Sequence, residues 1–337
     1  MSATIRDVAR LAGVSASTVS RVMNDSSPVH EEKRRLVLEA AKRLGYTPNP
    51  AARSLLGKET GGLGVLLPFV NGEFFSALLS GLDEAAQDAG FFLVVSTSHS
   101  QPDEFQKAIQ ALNRRVDGLV VMAPDLDTKG AASILGTEMP VVFVNTYAEG
   151  IPADVINFDN YAGARDLTQH LIKAGHRQIA LVKGPPQAKD ANERVQGYRD
   201  AMADAGIETS ALEFEGGYTR DAGIAATETI LAGDSEPTAI VAANDYCALG
   251  VMSALRQAGV SVPQEVSVCG FDGLASVEYT DPPLTTVDVP IRAIGVRAVH
   301  CLVARLKKED AGVNHRTEVF PVEVVLREST ATGELAS

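Results

Sequence analysis

From residue 62 onward, short apolar runs alternate with amphipathic helical segments, and this alternation restricts the fold more than any other feature of the chain. The runs form two successive series, residues 64–68, 92–95, 118–121 and 141–144, then 178–182, 238–242 and 266–269. Apolar runs of this kind are typical of parallel strands that helices cover on both faces. The pattern predicts an α/β body of doubly wound parallel sheets, in two lobes with a cleft between them. The helices between the runs are predicted over residues 73–89, 103–114, 162–174, 193–205, 221–231 and 248–258.

Polar and aromatic residues follow the predicted strands, at the edge of the sheets where ligands of open parallel sheets bind. These candidates are Phe69, Asn71, Asn145, Phe158, Asp159, Arg194, Tyr218, Asn244, Asp245 and Asp272. A polar residue at a strand end can simply cap the next helix, and for Asn71, Asp159 and Asp245 that interpretation is equally good. Taken together, a guanidinium, carboxylates, amides and aromatic rings match the needs of a hydroxyl-rich ligand.

The first 46 residues have a different pattern, with three short helices instead of strands. The predicted helices cover residues 4–12, 16–22 and 31–44. Gly13 supplies a positive-φ turn between the first two, and Leu36, Ala40 and Leu44 are expected to face inward in the third. The spacing predicts a helix-turn-helix domain, although a three-helix packing unit with no DNA role has the same pattern.

Two observations favour the DNA-binding interpretation. The outer face of the second helix presents Ala16, Ser17, Ser20 and Arg21, which are small or basic side chains that fit a major groove. The formal net charge of the chain is −13, yet residues 1–60 carry +4 and the remainder −17. A basic end on an acidic body is typical of a protein that meets phosphates at one end.

A segment with its own helix signals joins the two parts. Asn49 can cap a helix, Pro50 suits its first turn and Gly57 can end it. Such a helix has about two turns and is marginal in water, so we expect it to fold only when something holds it. A plain linker is the alternative, but a linker has little use for Leu55 and Leu56 side by side.

At this point the sequence resembles the lactose-repressor (LacI/GalR) family of bacterial transcription regulators. The likeness begins with TIRDVARLAGVSASTVSRVMN, continues through LEAAKRLGYTPNPAARSL and covers nearly the whole chain. It implies that Ala16, Ser17 and Arg21 contact base edges and that Ser15, Thr18 and Asn24 lie near phosphates. It also implies DNA contacts in the hinge segment. These are Asn49, Ala52 and Leu55, of which Leu55 matches a leucine that wedges into the minor groove of a pseudo-palindromic operator. His30 departs from the family pattern, which usually has a capping residue there.

The body carries further family motifs, Ala-Asn-Asp at 243–245, Gly-Phe-Asp at 270–272, Asp-Pro-Pro-Leu-Thr-Thr at 281–286 and Leu-Arg-Glu-Ser-Thr at 326–330. The resemblance implies the fold of type I periplasmic sugar-binding proteins, with crossovers near 159–161 and 288–292. It places the helix over 291–307 in the first lobe and a closing strand over 319–327 in the second. The effector contacts that it implies are Asn145, Phe158, Arg194, Tyr218, Asn244 and Asp272. The chain contains no tryptophan, so Phe69, Phe158 and Tyr218 would supply any stacking.

These inferences give a domain plan and a function. We predict a helix-turn-helix domain at 1–46, a hinge helix and linker at 47–60, and an effector-binding and dimerisation domain at 61–337. The first lobe covers about 61–160 and 291–316, and the second about 161–290 and 317–330. The predicted function is a repressor that binds double-stranded operator DNA and whose operator affinity changes when a small effector, a carbohydrate, binds between the lobes. Whether the effector induces or corepresses stays open, as does a regulator that answers to a nucleobase or a protein partner.

Other classes of protein fit less well. The chain has no GxxxxGK[ST], HExxH, GxSxG or strand-following GxGxxG motif, so we predict no enzyme, no cofactor and no metal. Its three cysteines are far apart and are expected to be reduced thiols. A periplasmic binding protein would need a signal peptide and no basic head, whereas residues 1–7 lack the charged start and apolar stretch of a secretion signal. No apolar run approaches the roughly 20 residues of a membrane span. We therefore expect a cytoplasmic protein, and a homodimer, because no heptad repeat follows the last predicted strand.

Overall fold

A computed structural model describes residues 3–23, 28–46, 60–126, 139–147, 152–209, 212–309 and 314–331 of the chain. Internal contacts divide the chain into two compact units, Met1–Thr60 and Gly61–Ser337. We call the first unit the head and the second the body, and each is described by itself.

The head contains three helices, α1 (Ile5–Ala12), α2 (Ala16–Met23) and α3 (Glu31–Leu44). A capping box starts α1, because the Thr4 hydroxyl accepts from the Asp7 N–H while the Asp7 carboxylate accepts from the Thr4 N–H. Gly13 ends α1 with a φ of 65°, a left-handed conformation that glycine adopts without strain. This residue lets the chain turn directly into α2.

The inner face of α3 is one residue away from the predicted one. Leu36 and Leu44 are 36% and 37% exposed, so the prediction that they face inward is wrong. Val37, Ala40 and Ala41 are the buried residues of this helix. Their i, i+3, i+4 spacing makes a compact stripe of small side chains, and this stripe packs against the fully buried valines of α1 and α2.

The body is built from short strands, most of them buried along their whole length. The strands are β1 (Gly62–Leu67), β2 (Phe92–Thr97), β3 (Gly118–Met122), β4 (Val141–Val144), β5 (Asp154–Phe158), β6 (Ile179–Val182), β7 (Glu213–Phe214), β8 (Ala239–Ala242), β9 (Ser267–Cys269), β10 (Thr286–Asp288), β11 (Thr317–Phe320) and β12 (Glu323–Val325). The helices are α4 (Glu73–Asp88), α5 (Pro102–Leu112), α6 (Asn160–Lys173), α7 (Lys189–Asp204), α8 (Arg220–Ala232), α9 (Asp245–Gln257) and α10 (Ile291–Leu306), with a 3-10 turn at Ala275–Tyr279.

Two parallel sheets define the two lobes. The first has the order β11-β5-β4-β3-β1-β2 and the second has the order β7-β6-β8-β9. In the first lobe α4 and α10 cover one face and α5 the other. In the second lobe α6 and α7 cover one face, and α8 and α9 the other. The predicted doubly wound architecture with a separate helical head is confirmed.

Some helix pairs approach so closely that their backbones touch. A Cβ atom on Gly81 of α4 would lie 2.1 Å from the carbonyl oxygen of Arg292 in α10. In the second lobe, a Cβ atom on Gly223 of α8 would lie 2.1 Å from the carbonyl oxygen of Cys247 in α9. Both positions therefore require glycine, because any side chain would force the two helices apart.

The chain passes between the lobes at β5–α6, at β10–α10 and at β11–β12. The predicted return of residues 291–307 to the first lobe agrees with the contacts of α10 with β3 and β4. The placement of 317–320 in the second lobe is wrong, because β11 pairs with β5 in the first sheet. Only β12 crosses over, where it pairs antiparallel with β10. Pro321, which lacks an N–H group for a strand ladder, separates the two strands.

The described residues lack two features. None of their helices is long and apolar enough to cross a membrane. They contain no group of three or more histidine, cysteine or acidic side chains that could hold a metal ion. The three cysteines lie in the body as free thiols.

Candidate ligand cleft and DNA-binding helix

A cleft of about 790 Å³ lies between the two lobes, at the carboxyl ends of their strands. The first lobe contributes Phe69, Asn71, Phe74, Met122, Asp125 and Asn145 to its lining. The second lobe contributes Gln187, Asp190, Arg194, Tyr218, Asn244 and Asp272. The volume falls in the range of small-molecule sites.

The structure brings together seven of the eight residues predicted to contact an effector. Phe69, Asn71, Asn145, Arg194, Tyr218, Asn244 and Asp272 all line the cleft. Phe158 does not, and its predicted contact with a ligand is therefore corrected. This side chain is 1% exposed, and its ring packs edge-on against that of Phe74, with 6.3 Å between centroids. Phe158 thus supports the cleft wall from behind.

Arg194 is the most heavily constrained side chain of the cleft. Its Nε donates to Asn160 Oδ1 at 2.9 Å and its Nη1 donates to the Ala243 carbonyl oxygen at 2.6 Å. Nη2 faces Asp272 Oδ1 at 3.5 Å, and the guanidinium carbon lies 3.7 Å from the centre of the Phe271 ring. Each of the three guanidinium nitrogens therefore has one protein partner, which engages three of its five N–H groups.

Asp272 lies beside Arg194 and is almost fully buried, with 7% exposure. Burial raises the pKa of Asp272 to about 7, Arg194 opposes this shift, and the nearby carboxylate of Asp190 adds to it. The carboxyl group therefore titrates close to neutral pH.

Three cleft residues have left-handed backbone conformations that are unusual for residues other than glycine. The φ angles are 53° at Ser100, 44° at Asn145 and 116° at Asp272. Strained backbone of this kind clusters at ligand sites, where the surrounding fold holds a side chain in a required direction. It marks the carboxyl ends of β2, β4 and β9 as the functional edge.

Helix α2 of the head presents the side chains that the sequence singles out for DNA contact. Ser15, Ala16, Ser17 and Arg21 are exposed and Thr18 is half-buried. The Ser15 hydroxyl lies 3.1 Å from the Thr18 N–H and accepts from it, which caps the helix. The opposite face of α2 is buried through Val19 and Val22. Asn24, Asn49, Ala52, Leu55 and the predicted hinge helix lie outside the described residues.

Comparison with known proteins gives a separate family match for the head and for the body. Residues 4–49 match the model for bacterial regulatory proteins of the lacI family, and residues 168–330 match that for a periplasmic binding protein-like domain. The ribose operon repressor of Haemophilus influenzae is 34% identical over 336 residues, which is 97% of this chain and 98% of the relative. The chain belongs to the LacI family.

Two other members show the same full-length match. The transcriptional repressor PurR of Vibrio cholerae is 36% identical over 333 residues, with 97% of this chain and 98% of the relative covered. A crystal structure of the Lac repressor dimer bound to operator and the anti-inducer ONPF is 32% identical, with a TM-score of 0.87, and covers 98% of this chain and 99% of that one. This LacI-family protein is a DNA-binding transcription repressor with an effector-binding body, as predicted.

Sequence reasoning missed Asp190, a cleft carboxylate. Its side chain is 4% exposed, and its Oδ2 accepts from Asn145 Nδ2 at 3.0 Å, so the two residues join the lobes across the cleft. The predicted helix started at residue 193, whereas α7 starts at Lys189. Asp190 and Arg194 are therefore four residues apart on one helix face, and this i, i+4 spacing was the signal available in the sequence.

Tyr246 is a second missed residue. It lies in the first turn of α9, lines the cleft, and its hydroxyl oxygen accepts from the Glu73 N–H of the first lobe at 2.9 Å. The predicted helix over 248–258 began after it, and the sequence gives no strong signal for this tyrosine. Glu73 also accepts from the Ser276 N–H at 3.0 Å, so this side of the cleft also joins the two lobes.

The alternative capping interpretation is correct for Asp159. Its carboxylate accepts from the Ala162 N–H at 2.9 Å and starts α6, and the residue does not line the cleft. Asp245 is fully buried, accepts from the Leu274 N–H at 2.8 Å, and likewise lies outside the cleft lining. Asn244 does both, because its side chain caps α9 through the Cys247 N–H while it lines the cleft.

Proposed function

We propose that this repressor responds to an uncharged sugar that binds in the cleft between its lobes. The observation that carries the proposal is the cluster of Asp190, Arg194 and Asp272 in the cleft floor, with amides and aromatic rings around it. In this proposal the protein acts as a cytoplasmic homodimer, and the sugar changes its affinity for a pseudo-palindromic operator.

The hydrogen-bonding capacity that remains in the cleft supports a ligand that donates. Arg194 already has a protein partner at each of its three nitrogens, and the carboxylates of Asp190 and Asp272 can accept further bonds. The buried hydroxyl of Tyr218 has no hydrogen-bond partner among the described residues. Sugar hydroxyls can donate hydrogen bonds to the carboxylates, and they can either donate to the tyrosine hydroxyl or accept from it.

The charges of the lining also favour an uncharged ligand. Asp125, Asp190 and Asp272 line the cleft against Arg194 and Arg220. The lining therefore has no surplus of positive charge that would compensate the charge of an anionic effector.

For the head, we propose that Ala16, Ser17 and Arg21 contact base edges and that Ser15 and Thr18 lie near phosphates. Their positions along the exposed face of α2 support these roles. Arg21 suits guanine, whose two major-groove acceptors match the fork of a guanidinium. The dimer follows from the same geometry, because one helix covers one half-site and a two-fold operator needs two.

A nucleobase is the second candidate effector. Phe69, Phe74, Tyr218 and Tyr246 all line the cleft, and aromatic rings can stack on a planar base. The match to PurR repressors is as extensive as that to the ribose operon repressor.

Calorimetric titration of the full chain distinguishes the two candidates. The ligands are D-ribose, further neutral pentoses, hexoses and disaccharides, and separately adenine, hypoxanthine and guanine. We expect a neutral sugar to bind, and Asp190→Asn to weaken this binding about 10-fold or more, because a hydrogen bond to a charged group is lost. Asp204→Asn, an exposed position on the same helix, is the matched control and should bind the sugar as the wild type does.

Two results would overturn the proposal. Binding of nucleobases without any sugar would select the second candidate. A sugar that binds equally well to Asp190→Asn and to the wild type would remove the cleft assignment.

A further inference from the structure

We propose that Tyr147 and Glu193 form a contact between the lobes, outside the cleft, that positions α7 and holds the lobes together before any effector binds. We call this contact the Tyr147–Glu193 latch. It adds a positioning role for two residues that neither the sequence motifs nor the cleft lining singles out.

The geometry places the two residues on opposite lobes. Tyr147 follows β4 of the first lobe, and Glu193 lies in the second turn of α7 in the second lobe. The Tyr147 hydroxyl donates to the Glu193 carboxylate. Lys189 Nζ, one turn earlier on α7, lies 3.5 Å from the Tyr147 carbonyl oxygen and 5.5 Å from the centre of its ring.

This hydrogen bond is charge-assisted when Glu193 is ionised; burial raises the pKa of Glu193, and the hydrogen bond from Tyr147 opposes that rise. Burial raises the pKa of Tyr147 well above its ordinary value and the Glu193 carboxylate raises it further, so the hydroxyl keeps its proton at neutral pH. Both side chains are half-buried, which limits screening by water. Hydrogen bonds to an ionised acceptor are stronger than those between neutral groups.

The latch acts on the cleft through α7. The first two turns of this helix also carry Asp190 and Arg194, and Asn145 lies two residues before Tyr147. The latch therefore fixes the register in which Asn145 meets Asp190 at 3.0 Å. A ligand that enters a prearranged cleft loses less free energy to closure, so the latch increases effector affinity without touching the effector.

Amide hydrogen exchange with residue-level resolution tests the latch without any effector. The Lys189 N–H donates to the Pro124 carbonyl oxygen across the lobes at 3.2 Å, so it exchanges when the lobes separate. We expect Tyr147→Phe to accelerate this exchange about 10-fold or more, which corresponds to about 1.4 kcal/mol. The Glu73 N–H, which donates to Tyr246 on the other side of the cleft, should accelerate as well.

A matched control separates a latch from general loosening. The Tyr161 hydroxyl donates to the Asp200 carboxylate at 2.8 Å, also on α7 but within the second lobe. Tyr161→Phe should leave the exchange of the Lys189 and Glu73 amides unchanged. The Ala162 amide donates to Asp159 within the first turn of α6 and does not bridge the lobes, so it should exchange at the wild-type rate in Tyr147→Phe.

Glu193→Gln provides an independent variant that keeps an acceptor but removes its charge. We expect an acceleration at Lys189 that is smaller than that of Tyr147→Phe. The proposal is wrong if Tyr147→Phe leaves the Lys189 amide at the wild-type rate, or if it accelerates Ala162 equally. Neither result affects the proposed sugar response, because effector binding is measured separately.

Discussion

Asp272 combines two features that are each unfavourable, a buried carboxyl group and a backbone φ of 116°. A sparsely populated backbone conformation costs roughly 1–3 kcal/mol, and an unpaired buried charge costs several more. Arg194 offsets the second cost through its own fixed position against Asn160 and the Ala243 carbonyl oxygen. The arginine therefore stabilises the floor of the cleft as well as shaping it.

This pairing predicts a change in the pH dependence of stability for Arg194→Met. The pKa of Asp272 is raised to about 7 in the folded state, above its unfolded value, so the native protein holds the extra proton. The contribution of this group to the free energy of unfolding should therefore fall as the pH rises toward 7 and stay constant at higher pH. Without the guanidinium the pKa rises further, and the decline should continue above pH 7.

Denaturant unfolding between pH 5 and 9 measures this effect. We expect Arg194→Met to be destabilised by about 3–5 kcal/mol at pH 8 and by less at pH 5. Arg165→Met, which removes a surface arginine paired with Asp204, is the control and should show the wild-type pH profile. A pH-independent difference between Arg194→Met and the wild type would contradict the assigned pairing.

At the scale of secondary-structure elements, Asp154 connects β5, α10 and the start of β11 at one end of the first sheet. It begins β5, accepts from Arg305 of α10 at 2.8 and 2.9 Å, and accepts from the Arg316 N–H before β11 at 2.9 Å. Burial alone would raise the pKa of Asp154, but the bonds from Arg305 and the Arg316 amide outweigh it and hold the pKa below its ordinary value. The edge strand β11 thus depends on a buried carboxylate.

Asp154→Asn should lower the free energy of unfolding by about 3–5 kcal/mol at pH 7, because Arg305 loses its buried counter-ion. Since the folded pKa is depressed, this stability is present above about pH 4 and is lost as the pH falls through the folded value. The difference from the wild type should therefore shrink toward pH 3. Glu318→Gln removes the partner of Arg297, and Glu318 is more exposed than Asp154. This control should lower the free energy of unfolding by at most about 1 kcal/mol. Equal losses for the two variants would contradict this account.

A comparison of predicted and observed elements shows which features the sequence predicts well. Strands that are buried on both faces, such as β4, were predicted to within a residue or two, because an apolar run has few other uses. The start of α7 was missed because its N-cap is Ala188, which has no capping side chain, and Asp190 was missed with it. Phe158 sits at a strand end, as predicted, yet faces the core, since strand-end position does not fix the direction of a side chain. The DNA-contact roles along α2 stay predictions, because they depend on a partner.

At the scale of the whole molecule, the proposed function requires one coupling free energy between operator and effector. If the effector changes operator affinity by some factor, the operator must change effector affinity by the same factor. We expect a factor of about 5–150, measured by fluorescence anisotropy for a duplex selected from random DNA and by calorimetry for the sugar. Equal operator affinity with and without saturating sugar would show that the cleft is not a regulatory site. Unequal factors in the two directions would show that a further equilibrium is involved.

The backbone contacts at Gly81 and Gly223 have a mechanical consequence. Where two helices meet carbonyl against Cα, no side chain between them can change rotamer to absorb a displacement. Each lobe should therefore move as a rigid body. When a ligand binds between the lobes, the conformational change must then occur in the three segments that connect them.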